Sequence, residues 1–386
     1  MRQLWGQSHV CRAKDLLLTI ANSASSVLLR GYVAEPNRTK AAFGYCVQEV
    51  RQYDYLNYVW VAQASKDLRP ALFALRAFNI ETGLVAENVK SKESVVGQMR
   101  FQWWRDAIKA AYDNRPPNHP VALALAHVLH SPGPISAAAS APTAAATSGS
   151  GNSDSGVAGG CGGGSQCGVS APAASNHAVT GPARFSRYCF KRIIDSREAD
   201  FLDPQPPLDL AALETYAEGT ASQLMYLQLA AAGIKNPDAD HAASHLGRAA
   251  GITTLLRGTA AHAAARRCYL PVDLCAEARV SQEDVYKGVV SEGLRDVVHK
   301  VASLAKGHLD EARRLAPRLP PGAAAVMLPA VAVGRYLEAL EGVNFNPYDP
   351  ALARESGLGV NHSGGGGGAP LGYVLAVKWL QLRGSY

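Results

Sequence analysis

The stretch LRPALFALRAFNIETGLVAENV, residues 68–89, carries apolar side chains at positions 68, 72, 75, 78 and 85. These spacings of three, four and seven residues place the apolar side chains on one face of an α-helix. Pro70 falls in the first turn of that helix, where its missing N–H costs nothing. The same periodicity recurs over residues 94–112, 208–232, 239–265, 293–315 and 323–340. Since no stretch alternates as a strand would, the sequence predicts an all-α fold of about nine to eleven helices.

The composition is that of a folded chain with a sizeable core. Of the 386 residues, 47% are apolar and only 18% are charged, which excludes wholesale disorder. Lys and Arg (38) exceed Asp and Glu (32), but the excess is spread along the chain rather than clustered as in a nucleic-acid-binding protein. A charge of this size is compatible with attraction to an anionic membrane surface. Seven cysteines without a Cys-x-x-Cys motif argue against a disulfide framework and a zinc ribbon, and they favour a reducing compartment.

The first 35 residues have the character of an organelle import peptide. Up to position 30 there are four basic residues and a single acidic one, Asp15. A leucine-rich and serine-rich run lies among these charges. Such a segment can be drawn by a membrane potential and can offer an apolar face to a receptor. An ordinary first helix is the alternative. Mitochondrial and plastid peptides are not distinguished by these residues.

Two low-complexity segments interrupt the remaining chain. Residues 132–182 contain 40 Ala, Gly, Ser, Pro or Thr among 51 residues and only one charge, Asp154. They bury too little to offset their ordering entropy, so we expect a disordered insert. A Gly-rich loop at 361–369 contains five consecutive glycines. The sequence therefore predicts a single all-α domain over residues 42–383, interrupted at these two places.

Membrane contact is open at the C-terminus. No stretch of 18 or more apolar residues exists, so the sequence predicts no spanning helix. Residues 370–386 place Tyr373, Val377 and Leu380 on one side, with Trp379, Lys378 and Arg383 nearby. A short aromatic and basic amphipathic helix of this kind can lie in a membrane interface. A terminal helix that closes the bundle fits the same pattern.

One pair of metal-ligand type has helical spacing. His241 and His245 are four residues apart and share a helix face. Ala242 stands where a zinc protease would carry its catalytic glutamate, and no third ligand follows from spacing. We therefore interpret the pair as surface histidines and predict no metal site.

Two stretches resemble the signature helices of the squalene/phytoene synthase family. They are residues 54–58 (DYLNY) with 72–81 (LFALRAFNIE), and residues 246–271, which include LGR, TLLR and RCYLP. The resemblance covers about residues 53–343 without the insert. It implies a terpenoid-synthase-like helical bundle around a central cavity. In active members, an Asp-x-x-x-Asp motif on each of two facing helices holds the Mg²⁺ that binds a prenyl diphosphate.

The same resemblance implies that this chemistry is lost. The first motif falls on Gly83 and Glu87, and the second on Gly258 and His262, so three of the four carboxylates are missing. We expect no catalytic residues, no Mg²⁺ site and no other cofactor. The residues expected to remain as contacts to a phosphate or to the cavity wall are Arg76, Arg257 and Tyr269. For Arg257 and Tyr269, helix packing and a loop anchor are the alternative.

Five further stretches are similar to a subgroup of the family that lacks these aspartates. They are residues 74–79, 97–104, 239–247, 280–284 and 343–350. The subgroup serves the assembly of mitochondrial respiratory complex I. The resemblance implies a non-catalytic assembly factor, a pseudoenzyme, that supports biogenesis of the membrane arm. Its expected location is the matrix side of the inner mitochondrial membrane, with a plastid as the alternative.

The expected partners follow from that role. They are complex I subunits or assembly intermediates and, through peripheral association, the inner membrane; no nucleic acid is expected. Two other functions stay open at this point. One is an active prenyl-diphosphate transferase of the squalene/phytoene synthase type, and the other is a module that keeps the cavity for an isoprenoid or lipid.

Overall fold

The computed structural model describes residues 36–89, 94–131, 185–352 and 371–386, and every regular element within these ranges is helical. The sixteen α-helices of the described ranges are α1 Pro36–Tyr53, α2 Tyr55–Gln63, α3 Arg69–Gly83, α4 Val85–Asn88, α5 Ser94–Tyr112, α6 Pro120–His130, α7 Arg187–Leu202, α8 Leu210–Ala217, α9 Gln223–Ala231, α10 Pro237–Arg257, α11 Thr259–Ala264, α12 Val272–Glu277, α13 Gln282–Lys287, α14 Glu292–Leu315, α15 Pro329–Gly342 and α16 Leu371–Arg383. A π-helix, Glu218–Ser222, joins α8 to α9, and two 3₁₀-helices, Ala316–Arg318 and Ala323–Val326, lie between α14 and α15.

The predicted all-α class is confirmed, but the predicted number of helices is too low. Several periodic stretches are broken within their length, since the backbone leaves the helix at Leu84 and turns at Gly258. Side-chain periodicity reports the buried face, and that face continues across such a break. Three predicted segments lie outside the described residues: the import peptide (1–35), the insert (132–182) and the Gly-rich loop (361–369).

Local sequence sets the helix ends. The Asn236 side chain accepts a hydrogen bond from the backbone N–H of Ala239 at 2.9 Å, and Pro237 opens α10 behind this cap. Ser291 caps α14 in the same way, through the N–H of Leu294. Gly288 ends α13 in the left-handed conformation, with φ +70°, which a glycine adopts without steric cost.

Helix α10 is the central element, and small side chains let its neighbours approach closely. It packs along α14, whose buried face carries Leu294, Val298, Val301 and Leu309 at helical spacing. On its other side it meets the π-helix. A Cβ added at Gly247 would lie 2.3 Å from the Cα atom of Ser222, so only glycine permits this crossing. The described residues from Asn37 onward form one unit around this core.

Candidate functional site

The four positions of the synthase-like motifs lie at helix ends. Gly83 is the last residue of α3, and Glu87 lies exposed in the short helix α4. Gly258 caps α10, and His262 follows in α11. A third helix, α7, places a side chain near each motif: Arg197 lies beside Gly83, and Asp200 contacts Tyr269, which packs on His262.

Arg197 of α7 occupies the place beside the first motif. Its guanidinium donates to the Asn79 side-chain oxygen at 2.7 Å, to the Asn79 carbonyl and to the Thr82 hydroxyl. A Cβ atom at Gly83 would lie 3.6 Å from the guanidinium carbon. A cation of the protein itself therefore lies against the position at which the motif would carry a metal-binding carboxylate.

Asp200, one turn further along α7, ties α7 to the loop after α11. Its carboxylate accepts a hydrogen bond from the Tyr269 hydroxyl at 2.9 Å and forms an ion pair with the Arg267 guanidinium at 2.8 Å. Burial raises the pKa of the Asp200 carboxyl, and Arg267 opposes that rise. Burial, together with the charge of Asp200, also raises the pKa of the Tyr269 hydroxyl. Tyr269, predicted as a phosphate or cavity contact, is thus committed to Asp200.

His262 lies on the other side of Tyr269, with the ring centroids 4.7 Å apart in an edge-on arrangement. Burial, with a smaller contribution from Arg267, lowers the pKa of the imidazole to about 4, so the ring is neutral at pH 7. Its Nδ1 atom is buried without a hydrogen-bond partner. The adjoining cavity, lined by Leu213, Ile252 and Cys268 among others, encloses about 10 Å³, room for about one water molecule. As it stands, that cavity does not admit an isoprenoid chain.

Arg76 lies in a separate polar group near the middle of α3. It is buried, with its Nη1 atom 3.3 Å from the Asp54 carboxylate and its Nη2 atom 3.2 Å from the Gln228 side-chain oxygen. Arg257, at the end of α10, lies near Tyr336. Burial raises the pKa of the Tyr336 hydroxyl to about 12, and the charge of Arg257 opposes that rise. The three expected phosphate contacts therefore do not form one group, because Tyr269 belongs to the Asp200 pair.

The residues present do not fit a magnesium site of the synthase kind. Gly83 and Gly258 offer no side-chain ligand, and the Arg197 guanidinium lies against the first of them. Asp200, whose charge acts on that guanidinium, is already paired with Arg267. Within the ranges described, no three His, Cys, Asp or Glu side chains are arranged to hold a metal ion. Sequence reasoning missed Arg197 and Asp200, since their helix carries no motif and only the tertiary fold brings it between the motif helices.

The histidine pair His241 and His245 belongs to a longer chain of hydrogen-bond contacts, which the sequence spacing did not predict. Their Nε2 atoms are 3.2 Å apart. The Nδ1 atom of His245 lies 2.9 Å from Nδ1 of His308 on α14, and the Nε2 atom of His308 lies 2.6 Å from a carboxylate oxygen of Glu214. A continuous polar chain therefore links α10, α14 and α8.

Helix α16 packs against the bundle with one face and exposes apolar side chains on the other. Tyr373 and Val377 are buried, and the Tyr373 hydroxyl donates to the carbonyl of Leu56 at 2.9 Å. The opposite face exposes four large apolar side chains at helical spacing: Leu371, Leu375, Trp379 and Leu382. No described helix is both long enough and apolar enough to span a membrane.

Comparison with known proteins identifies relatives of the whole arrangement. The family model for squalene/phytoene synthase matches residues 50–143 and 171–356. The complex I assembly factor 6 of NADH dehydrogenase (ubiquinone) from Bos taurus is 34% identical over 314 residues, which cover 81% of this chain and 78% of that protein. The Homo sapiens protein of the same name is 32% identical over the same coverage. A crystal structure of a squalene synthase from Alicyclobacillus acidocaldarius superposes with a TM-score of 0.59 at 15% identity, over 81% of this chain and 98% of that one.

Proposed function

The chain belongs to the squalene/phytoene synthase family, and we propose that it acts within that family as a non-catalytic assembly factor for mitochondrial respiratory complex I. The observation that carries this proposal is the 34% identity to the bovine assembly factor over 81% of the chain. Similarity of that extent spans most of the chain, whereas a retained synthase motif would be local. The proposed role is to support biogenesis of the membrane arm, through contact with complex I subunits or assembly intermediates.

The geometry between the two motif helices supports the non-catalytic part of the proposal. Loss of a diphosphate from a prenyl substrate needs metal ions that several carboxylates hold in place. Here Gly83 faces the guanidinium of Arg197, and Tyr269 and Arg267 already engage Asp200. A Mg²⁺ ion placed there would meet the positive charge of Arg197, and of the four motif positions only Glu87 offers a carboxylate.

Genetic replacement tests the proposed role. Removal of the gene should deplete assembled complex I on native gels of mitochondrial membranes, while the other respiratory complexes persist. Re-expression of the chain should restore complex I, and so should the chain with His262→Ala, because no catalytic group is proposed there. Normal complex I in the deletion strain would refute the role.

An enzyme assay tests the non-catalytic part separately. Purified protein should release no diphosphate from farnesyl or geranylgeranyl diphosphate with Mg²⁺ present, and a Mg²⁺ titration should show no binding. Bacterial dehydrosqualene synthase serves as the positive control under the same conditions. Clear turnover would establish the prenyl-transferase alternative, with the metal held by residues other than Gly83, Glu87, Gly258 and His262.

The proposed location is the matrix face of the inner mitochondrial membrane, and α16 is the proposed contact. Its exposed stripe of three leucines and Trp379 carries no acid, and Lys378 and Arg383 flank it. The Arg383 guanidinium stacks on Trp379 with 4.5 Å between its central carbon and the ring centroid. An apolar stripe with tryptophan and a basic rim suits a bilayer interface that contains anionic lipid.

A further inference from the structure

The chain of histidines between α10 and α14 has the geometry of a metal chelate. We propose that His241 and His245 bind a divalent transition-metal ion of the zinc type through their Nε2 atoms, and that His308 and Glu214 hold the second ligand in position. The site lies on the surface of α10, apart from the synthase-like motifs. It does not depend on the proposed role in complex I assembly.

The hydrogen-bond partners assign the proton positions along the chain. Because the carboxylate of Glu214 only accepts, the Nε2 atom of His308, 2.6 Å from that oxygen, carries a proton. In the tautomer in which Nδ1 of His308 accepts, His245 donates to it from Nδ1 over 2.9 Å. This leaves a lone pair on Nε2 of His245, which points toward the ring of His241. A metal-ligating histidine usually donates its other ring N–H to a carboxylate, a carbonyl or water. Here the acceptor is the His308 ring, which Glu214 holds in turn.

The distance between the two offered nitrogens matches one bound ion. Zn²⁺ lies about 2.0–2.1 Å from each imidazole nitrogen, and a tetrahedral angle then separates two such nitrogens by about 3.3 Å. The two Nε2 atoms are 3.2 Å apart. In the metal-free chain, Nε2 of His241 is the donor in this contact. Its ring is exposed, and in the other neutral tautomer the proton lies on Nδ1 and Nε2 is available to the ion. Imidazole favours Zn²⁺, Cu²⁺ and Ni²⁺ over Mg²⁺ or Ca²⁺.

Two protein ligands leave the other coordination positions to water. The described residues provide no group of three ligands. Glu311 of α14 lies near both histidines and is hydrogen-bonded to Arg314. An ion at this site would therefore have an incomplete protein coordination shell. Its two ligands belong to α10, and His308 of α14 orients one of them.

Zinc titration of the full, tag-free chain tests the site. Isothermal titration with ZnCl₂ should show one equivalent that the double variant His241→Ala/His245→Ala lacks. His308→Leu should weaken the binding of that equivalent by about 10- to 100-fold, the usual effect of losing a partner that orients a ligand. His299→Ala, an exposed histidine elsewhere on α14, is the matched control and should bind as the unaltered chain does.

Two outcomes would overturn the proposal. An equal zinc stoichiometry in the unaltered chain and the double variant would place any bound zinc elsewhere. Unchanged affinity in His308→Leu would show that the chain to Glu214 plays no part. Circular dichroism of each variant establishes that it is folded, and His241→Ala alone, an exposed substitution, provides the same test should His245→Ala disturb α10.

Discussion

Gly247 and Gly307 both lie inside long helices, yet they have opposite surroundings. A Cβ at Gly247 would meet the backbone of Ser222 at 2.3 Å, whereas a Cβ at Gly307 would meet nothing within 4 Å. We expect Gly247→Ala to lower the free energy of unfolding by about 1–3 kcal/mol, because the π-helix must move away from α10. Gly307→Ala should raise it by about 0.5–1 kcal/mol, since alanine reduces the backbone entropy of the unfolded chain.

Urea unfolding of both variants measures the difference. Equal effects in the two variants would mean that helix propensity alone, and not the close crossing at Gly247, sets the cost.

His262 should make the stability depend on pH. Burial lowers its pKa from 6.5 to about 4 in the folded chain, so between these values the unfolded chain binds the additional proton. The free energy of unfolding is therefore unaffected by this group above pH 6.5. As the pH falls toward 4, protonation of His262 in the unfolded chain lowers it by up to about 3 kcal/mol. His262→Phe should flatten this part of the profile, whereas His299→Phe, at an exposed site, should not. Unfolding free energies at pH 7, 6 and 5 provide the measurement, and a parallel profile in His262→Phe would refute the assignment.

The motif positions could be found in the sequence, but their environment could not. Gly83, Gly258 and His262 follow from alignment with two signature stretches. Arg197 is 114 residues away from Gly83 along the chain, and no spacing rule joins the two. The same holds for His308, which reaches His245 only because α14 packs along α10. Sequence patterns describe one helix at a time, whereas a site depends on side chains that neighbouring helices contribute.

At the scale of elements, α7 connects the end of α3 to the loop after α11. Arg197 provides the first connection through three hydrogen bonds to Asn79 and Thr82. Arg197→Met keeps much of the side-chain volume and leaves those oxygens without their charged donor. We expect a loss of about 1.5–3 kcal/mol in the free energy of unfolding.

Arg187→Met, at the exposed start of the same helix, is the matched control and should change stability by less than about 0.5 kcal/mol. Guanidinium unfolding of the two variants compares them. Similar values would show that Arg197 contributes no more than a surface charge.

Helix α16 gives a second prediction at this scale. The double variant Leu375→Glu/Trp379→Glu should lose most co-sedimentation with vesicles of phosphatidylcholine and cardiolipin, because it puts two acids into the apolar stripe. Val95→Glu/Met99→Glu, which alters exposed apolar residues of α5, is the control and should retain binding. Loss of binding in both pairs would indicate general hydrophobic adsorption. Retention in both would exclude α16 as the contact.

At the scale of the whole molecule, the helical class could be predicted from periodicity alone, because the buried face of each helix repeats every three or four residues. Residues 94–112 were predicted as one helix, and α5 has those bounds. The breaks at Leu84 and Gly258 were not foreseen, since both lie within continuous apolar periodicity. Periodicity does not predict the π-helix either, for the same reason. Its extra residue shifts the register without altering which residue types are buried.

The insert provides the prediction for the molecule as a whole. The family model matches on both sides of residues 144–170 but not across them. The chain just after the insert is held by the rest of the molecule: the hydroxyl of Tyr112, at the end of α5, donates to the carbonyl of Phe185 at 2.9 Å. Deletion of residues 144–170 shortens the connection from Ser131 to Phe185 by about half. A flexible loop shortened by half should raise the free energy of unfolding by about 0.6 kcal/mol, through a smaller closure entropy.

The variant without residues 144–170 should therefore unfold at an equal or slightly higher temperature. When expressed in the strain that lacks the gene, it should restore complex I. Calorimetry reports the first result and native gels report the second. Intact stability with failed restoration would assign the insert to partner binding, while a lower unfolding temperature would show that the insert packs against the helices. Either result would contradict the view, based on its composition of small side chains, that the insert is an expansion of a surface loop.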